Sequence, residues 1–444
     1  MSSNSAKRSV LLVELYWTRA QDPRTPLGLA SLLASTQAHP NIDAHALAIP
    51  VNEAGPTCRL AKTILAVVAE RPGGESDIAI GTYVWAEHII QELLPELRRR
   101  GFRGRIILGG PQISYAGPGL ETLYPDADVF VRGYGETALR TLIVDPDAQI
   151  RGVHRAGQFD DAQQAKCELN QLPSPWLTGV VPLQGQRFVR WETQRGCPYR
   201  CSFCQHREPG ARLRRRALAR DRIDEEIQLF SDTGVDNIAV LDPIFNLGSH
   251  ALEVFDQFLR CRYTGRLSLQ CRLEQVNEPF VELASRLDVT LEFGLQTIHD
   301  SESKAVKRHN RLAKAEKALE RVLARGIHAE VSLIFGLPTQ TLASFRESVQ
   351  WALDARVPTI KAFPLMLLRG TPLSLDRAHW GLVDDADPMP VVVASNSFNE
   401  NDWRHMAAIA AGLRATEGSH PPSVLELEGI GITRPLNFAL WRPG

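Results

Sequence analysis

Three cysteines, Cys197, Cys201 and Cys204, stand in a C-x3-C-x2-C spacing inside the stretch Glu192–Cys204. Thiolates are the common ligands of iron–sulfur clusters, and a close-set trio can wrap one face of a cluster. A cubane has one corner more than three thiolates can fill, so one iron stays open to chelate a substrate or cofactor. A zinc reading is also legal, because His206 lies two residues after Cys204 and completes a four-ligand set. Cys58, Cys167, Cys261 and Cys271 are scattered and read as small buried apolar residues. Seven cysteines, an odd number, and no apolar leader in Met1–Lys7 predict a reducing, cytoplasmic setting rather than a disulfide framework.

These residues need elements to hold them. At 444 residues the chain is expected to form two or three domains, and 44 % hydrophobic with 23 % charged content is that of an ordinary globular protein. A net charge of −1 argues against nucleic acid as main partner, and the basic run Arg212–Arg216 reads as a solvated face. No apolar run approaches a membrane span.

Residues 8–150 alternate short apolar runs with helix patterns. Ser9–Leu15, Asp77–Thr82, Arg105–Gly110 and Asp128–Gly133 suit buried parallel strands, and Pro26–Ala34, Glu87–Arg100 and Glu136–Leu142 suit helices. A doubly wound sheet follows, whose ligands sit beyond the strands' carboxyl ends, where Gly81, Gly109, Gly110, Gly133 and Gly135 lie. Residues 151–186 read as a connector, extended by the prolines of Leu172–Trp176. Residues 187–390 carry six further strand–helix units, with strands at Arg187–Thr193, Asn237–Asp242, Arg266–Glu274, Thr290–Thr297, Glu330–Pro338 and Thr359–Leu368. That pattern predicts a partial parallel barrel whose active residues stand at the carboxyl ends. In the third strand, period-two alternation places Arg272 and Glu274 on one face, opposite Cys271 and Leu273. Residues 391–444 read as a small cap and tail, in which Asn396, Trp403 and His405 either face a substrate or are simply packed and solvated.

The cysteine spacing, preceded by Arg195-Gly196 and carrying Tyr199 and Phe203, followed by this strand register, resembles the radical S-adenosylmethionine (SAM) enzymes. The resemblance covers the whole barrel segment and favours the cluster over zinc. It implies a [4Fe–4S] cluster on Cys197, Cys201 and Cys204, SAM on the open iron, and an electron donor such as flavodoxin or ferredoxin. It implies Phe203 against the adenine, and Leu337, in the fifth-strand segment Ile334–Pro338, beside it. It implies Asp242 to Asn246 near the SAM amino group, although the usual Gly-Gly-Glu run is here Leu241-Asp-Pro. Glu274 is the candidate for the ribose and Gln296 for the methionyl end, with Glu292 or Gln296 as the alternative ribose contact; a satisfied strand-end residue is the plain alternative for Glu274 and Gln296.

Pro26-Leu27-Gly28, Thr82, Gly109-Gly110-Pro111 and Gly133-Tyr-Gly135-Glu136 resemble the cobalamin-binding domain that precedes many radical SAM barrels. The Asp-x-His-x-x-Gly of classical carriers is missing, since no histidine lies between Leu15 and Gly28. The resemblance therefore implies cobalamin held without a histidine from that loop. The implied activity is radical transfer of a carbon group, foremost methyl, to a small or medium-sized substrate. Transfer of SAM's 3-amino-3-carboxypropyl group, as in diphthamide-type or arsinothricin chemistry, and a non-catalytic zinc- or corrinoid-binding role are the alternatives.

Overall fold

A computed structural model describes residues 8–18, 22–23, 25–52, 55–70, 76–206, 215–385 and 389–434. Arg212–Arg214 of the basic run lie outside the described residues.

The first sheet contains β1 (Arg8–Tyr16), β2 (Ile42–Pro50), β3 (Ser76–Gly81), β4 (Ile106–Gly109), β5 (Val129–Val131) and β6 (Val153–Arg155), in the order β2-β1-β3-β4-β5-β6. The first five are parallel; β6 runs antiparallel to β5. Period-two alternation divides β1 between two cores. Leu11, Val13 and Leu15 pack on one face with Ile90, Leu93 and Leu97 of the helix Glu87–Arg99. Val10 and Leu12 pack on the other with Leu29 and Leu33 of the helix Leu27–Gln37 and Leu142 of Gly135–Val144. β6 corrects the expectation that the segment after residue 150 is only a connector. Its His154 stacks on Phe130 and meets Glu121 at 2.6 Å, so the segment closes the open edge of β5. The strand order reverses between β1 and β3, which puts a crevice beyond their carboxyl ends.

The second unit begins with β7 (Phe188–Trp191) and a short ribbon of β8 (Gln194–Arg195) and β9 (Arg216–Ala217) flanking the cysteine loop. It continues with β10 (Asn237–Val240), β11 (Arg266–Cys271), β12 (Asp288–Gln296), β13 (His328–Phe335) and β14 (Thr359–Pro364). Strands β7 and β10–β14 form one parallel sheet in sequential order, with β7 and β14 at its edges. Along β12, Val289, Leu291, Phe293 and Leu295 are at most 3 % exposed against the helices, which leaves Thr290, Glu292, Gly294 and Gln296 on the inner face.

A hairpin of β15 (Val383–Asp385) and β16 (Val391–Ala394) leads to the paired helices Glu400–Ala415 and Val424–Ile432. Trp403 is buried with its ring 5.8 Å from that of Phe335, His405 Nδ1 meets Glu428 at 2.6 Å, and Asn396 Nδ2 donates to the His379 carbonyl. Trp403 is packed, whereas His405 is paired with Glu428 rather than simply solvated. No helix among the described residues is long and apolar enough to cross a membrane.

Candidate active site

The loop that carries the cysteines is fixed by a buried carboxyl. Asp242, at the end of β10, accepts from the backbone N–H of Thr193 at 2.8 Å and of Gln194 at 3.1 Å, and from Thr193 Oγ1 at 2.5 Å. Full burial pushes its pKa up to about 7 despite these bonds, which pull it down. Beyond the cysteines, Ser202 donates its N–H to Val306 and accepts one from Leu373, each at 2.9 Å. The loop is thereby pinned to β10 and to two later segments.

Cys197, Cys201 and Cys204 line one cavity of about 1780 Å³. That is larger than most small-molecule sites, so it has room for more than one ligand. Burial pushes the Cys204 thiol up to about 11 and raises Cys197 as well, so metal binding there must release protons. Among the described residues no group of three His, Cys, Asp or Glu side chains converges on a single ion. His206 donates its backbone N–H to Cys204 Sγ at 3.3 Å.

Two guanidinium groups face the cysteines. Arg308 Nη1 lies 3.8 Å from Cys201 Sγ, and its Nη2 bonds the Gly294 carbonyl. Arg272 lies over the Tyr199 ring at 4.1 Å and donates to the His309 carbonyl at 3.0 Å. Arg308 Nε and Arg272 Nη1 are buried without a hydrogen-bond partner. Burial, with Arg272 as neighbour, lowers the Arg308 pKa from its ordinary value, as a site awaiting an anion would. Anionic chemistry, whether a thiolate-bound cluster or a carboxylate, suits this corner.

Of the residues assigned to SAM from the sequence, Phe203 and Gln296 line the cavity, Gln296 at a bulge with φ +74°. The others are placed differently. Asp242 is spent on the loop. Asn246 bonds the backbone N–H and C=O of Arg272, both at 2.9 Å, and so holds the end of β11. Glu274 sits in a turn after β11 rather than on it, with its carboxylate toward Arg272 Nε and the Arg311 N–H, each at 3.4 Å. Leu337 is wholly buried in the core, and Ile334 of the same segment lines the cavity instead. Sequence reasoning missed Arg308, Glu330 and Lys361 in this cavity. The alternation of β13 could have found Glu330, whereas Arg308 follows a turn and carries no period.

In the first unit two of the glycines are required by the chain itself. A Cβ on Gly110, whose φ is +94°, would lie 2.8 Å from the Thr82 carbonyl oxygen; on Gly133, φ +79°, 2.6 Å from that of Ala165. Gly109 and Gly135 have ordinary clearances, and Gly28 lies near the Tyr83 hydroxyl. Glu136 is 2.7 Å from Arg195 Nη1 and accepts from Ser31 Oγ at 3.1 Å, so it joins the two units rather than standing free for a ligand. Pro26 precedes the first helix, and Leu27 packs into the barrel's core. Thr82 keeps a buried hydroxyl with no partner. Trp17, Thr18, Asp22 and Pro23, in the loop after β1, line the same cavity as the cysteines.

A parallel sheet carries three thiols on the loop after its first strand and packs against a doubly wound unit. Residues 191–352 match the Radical SAM superfamily. The chain is 28 % identical over 388 residues to the cobalamin-dependent radical SAM methyltransferase TokK of Streptomyces tokunonensis, covering 77 % of this chain and 57 % of that one. It is 25 % identical over 387 residues to the 2-(S-pantetheinyl)-carbapenam-3-carboxylate methyltransferase of Streptantibioticus cattleyicolor, covering 76 % and 56 %. The chain thus spans little more than half the length of these curated relatives. In fold it is similar to the radical SAM methyltransferase TsrM of Kitasatospora setae, solved with cobalamin and a [4Fe–4S] cluster bound, with a TM-score of 0.66 and 19 % identity over 84 % of this chain and 75 % of that one.

Proposed function

We propose that this chain cleaves SAM reductively and transfers a methyl group to a carbon of a small or medium-sized substrate, with cobalamin as methyl carrier. The observation that carries the reading is the shared cavity: the three thiols and the loop after β1 line one space. When bound, a [4Fe–4S] cluster supplies the electron that breaks a carbon–sulfur bond of SAM, and cobalamin supplies the methyl group. The residues present suit both. Cys197, Cys201 and Cys204 hold the cluster, and Arg308 with Arg272 offers unpaired N–H groups to the SAM carboxylate. Phe203, Ile334 and Gln296 form the walls available to the nucleoside and methionyl parts. The loop after β1 and Thr82 receive cobalamin with no histidine. A flavodoxin or ferredoxin serves as electron donor.

The test is anaerobic incubation of the reconstituted protein with SAM, reductant and cobalamin, followed by mass spectrometry. 5′-Deoxyadenosine together with S-adenosylhomocysteine supports methyl transfer. 5′-Methylthioadenosine would instead mean aminocarboxypropyl transfer, and a colourless zinc protein would end the enzyme reading.

A further inference from the structure

Glu292 stands halfway along β12 on the barrel's inner face and lines the cavity. Among the described residues its carboxyl has neither a hydrogen bond nor an ion pair. Strand register sets it beside Gln270 of β11 and Glu330 of β13, and both line the same cavity. Glu330 is answered by Lys361 at 2.5 Å; Glu292 is not. When ionised, Glu292 has no cation within hydrogen-bonding distance in this layer, and only the Lys361 charge, already paired with Glu330, acts on it. Buried carboxylates are normally paired or hydrogen-bonded, because desolvation is costly. Here burial and the neighbouring Glu330 push Glu292 up to about 7, against the pull of Lys361. The cysteines, Arg272 and Arg308 serve the other end of the strands, and none of them answers this group.

We propose that Glu292, with Gln270 beside it, is the substrate-recognition group of the barrel and takes the ammonium group of an amine-bearing substrate. An ammonium has three N–H donors and no acceptor. Two carboxylate oxygens and one amide oxygen match that number, and the charge balances the layer. The rest of such a molecule then extends along the cavity toward the cysteine loop. The inference rests on the cavity being the substrate chamber of the function proposed above.

The experiment is binding of n-butylamine and of its uncharged N-acetyl derivative to the cluster-reconstituted protein, followed by ligand-observed NMR. Saturable binding of the amine is expected in the parent protein, weakened about tenfold in Glu292→Gln and less in Gln270→Leu. The derivative should bind both proteins alike. Amine binding should strengthen as pH rises through about 7, where Glu292 ionises beside Glu330 and Lys361, and this dependence should vanish in Glu292→Gln. Equal melting temperatures for parent and variant show that the fold is kept. Absence of saturable amine binding, an unchanged Glu292→Gln, or preference for the N-acetyl compound would each overturn the proposal. SAM cleavage assayed on the same preparation separates the two readings: cleavage without amine preference overturns this one alone, and amine preference without cleavage overturns only the enzyme.

Discussion

Cys201 is the most enclosed of the three thiols, 8 % exposed, with Arg308 against its sulfur. Two remaining thiolates cannot hold a cubane, so Cys201→Ala should lose most of its iron and all SAM cleavage while the melting temperature holds. Iron and sulfide assay after anaerobic reconstitution checks this. Arg308 tests the electrostatics of the same corner. A positive charge beside the cluster favours its reduced, more negative form. Arg308→Met should therefore keep the iron but lower the cluster's midpoint potential by roughly several tens of millivolts. Potentiometric titration followed by electron paramagnetic resonance reads the shift. An unchanged potential would separate Arg308 from the cluster.

At the scale of elements, the joint between β7 and β10 decides where the cysteines sit. Its Asp242 has a folded pKa of about 7, above the ordinary 3.8 of a free aspartate. Between those values the native state binds a proton that the unfolded chain has released. The stability contributed by the protonated carboxyl is thus complete below about 4 and is lost as pH rises through about 7. Asp242→Asn removes this group's titration and retains one oxygen for the two backbone donors. Its unfolding free energy, from denaturant melts at several pH values, should fall less than the parent's between pH 4 and pH 7. An equal slope would show that Asp242 is ionised throughout. The turn at Gly110 is a joint of another kind. Any side chain there meets the backbone of Thr82, so a bulky variant disturbs the fold before it can report on a cofactor.

Over the whole molecule, the two units are locked by arginines. Arg195 bridges Glu136 and Glu192, each at 2.7 Å, and its guanidinium lies 5.2 Å from the centre of the Tyr134 ring. On the other side Arg369 pairs with Glu87 at 2.8 Å and donates to the Gln112 carbonyl, while Tyr115 of the first unit bonds the Gln205 carbonyl beside the cysteines. Removing one partner from a buried pair leaves the other charge uncompensated, a loss of about 3–5 kcal/mol. Arg195→Met should be destabilised by that amount. Calorimetry should show its single transition split into two as the units uncouple. One undivided transition would mean that the remaining contacts suffice.

The edge strand β2 and the antiparallel β6 were not legible along the chain, whereas most of the parallel strands and the cysteine trio were, because each depends on local composition and period. β12 shows this best: its inward Glu292 and Gln296 follow from alternation alone. The roles of Asp242, Asn246, Glu274 and Glu136 were not legible. Each is a polar residue near a strand end or a helix start, where its position in the chain cannot say whether it meets a ligand or its own backbone. Tertiary packing chose the backbone for Asp242 and Asn246, turned Glu274 toward Arg272, and gave Glu136 to Arg195 across the domain boundary. Arg308 shows the converse. Nothing in its neighbourhood along the chain distinguishes it, and only the fold brings it within 3.8 Å of a cysteine 107 residues earlier. Period and propensity act over a few residues, whereas the partner of a buried charge is chosen by whichever distant segment the close-packed core delivers beside it.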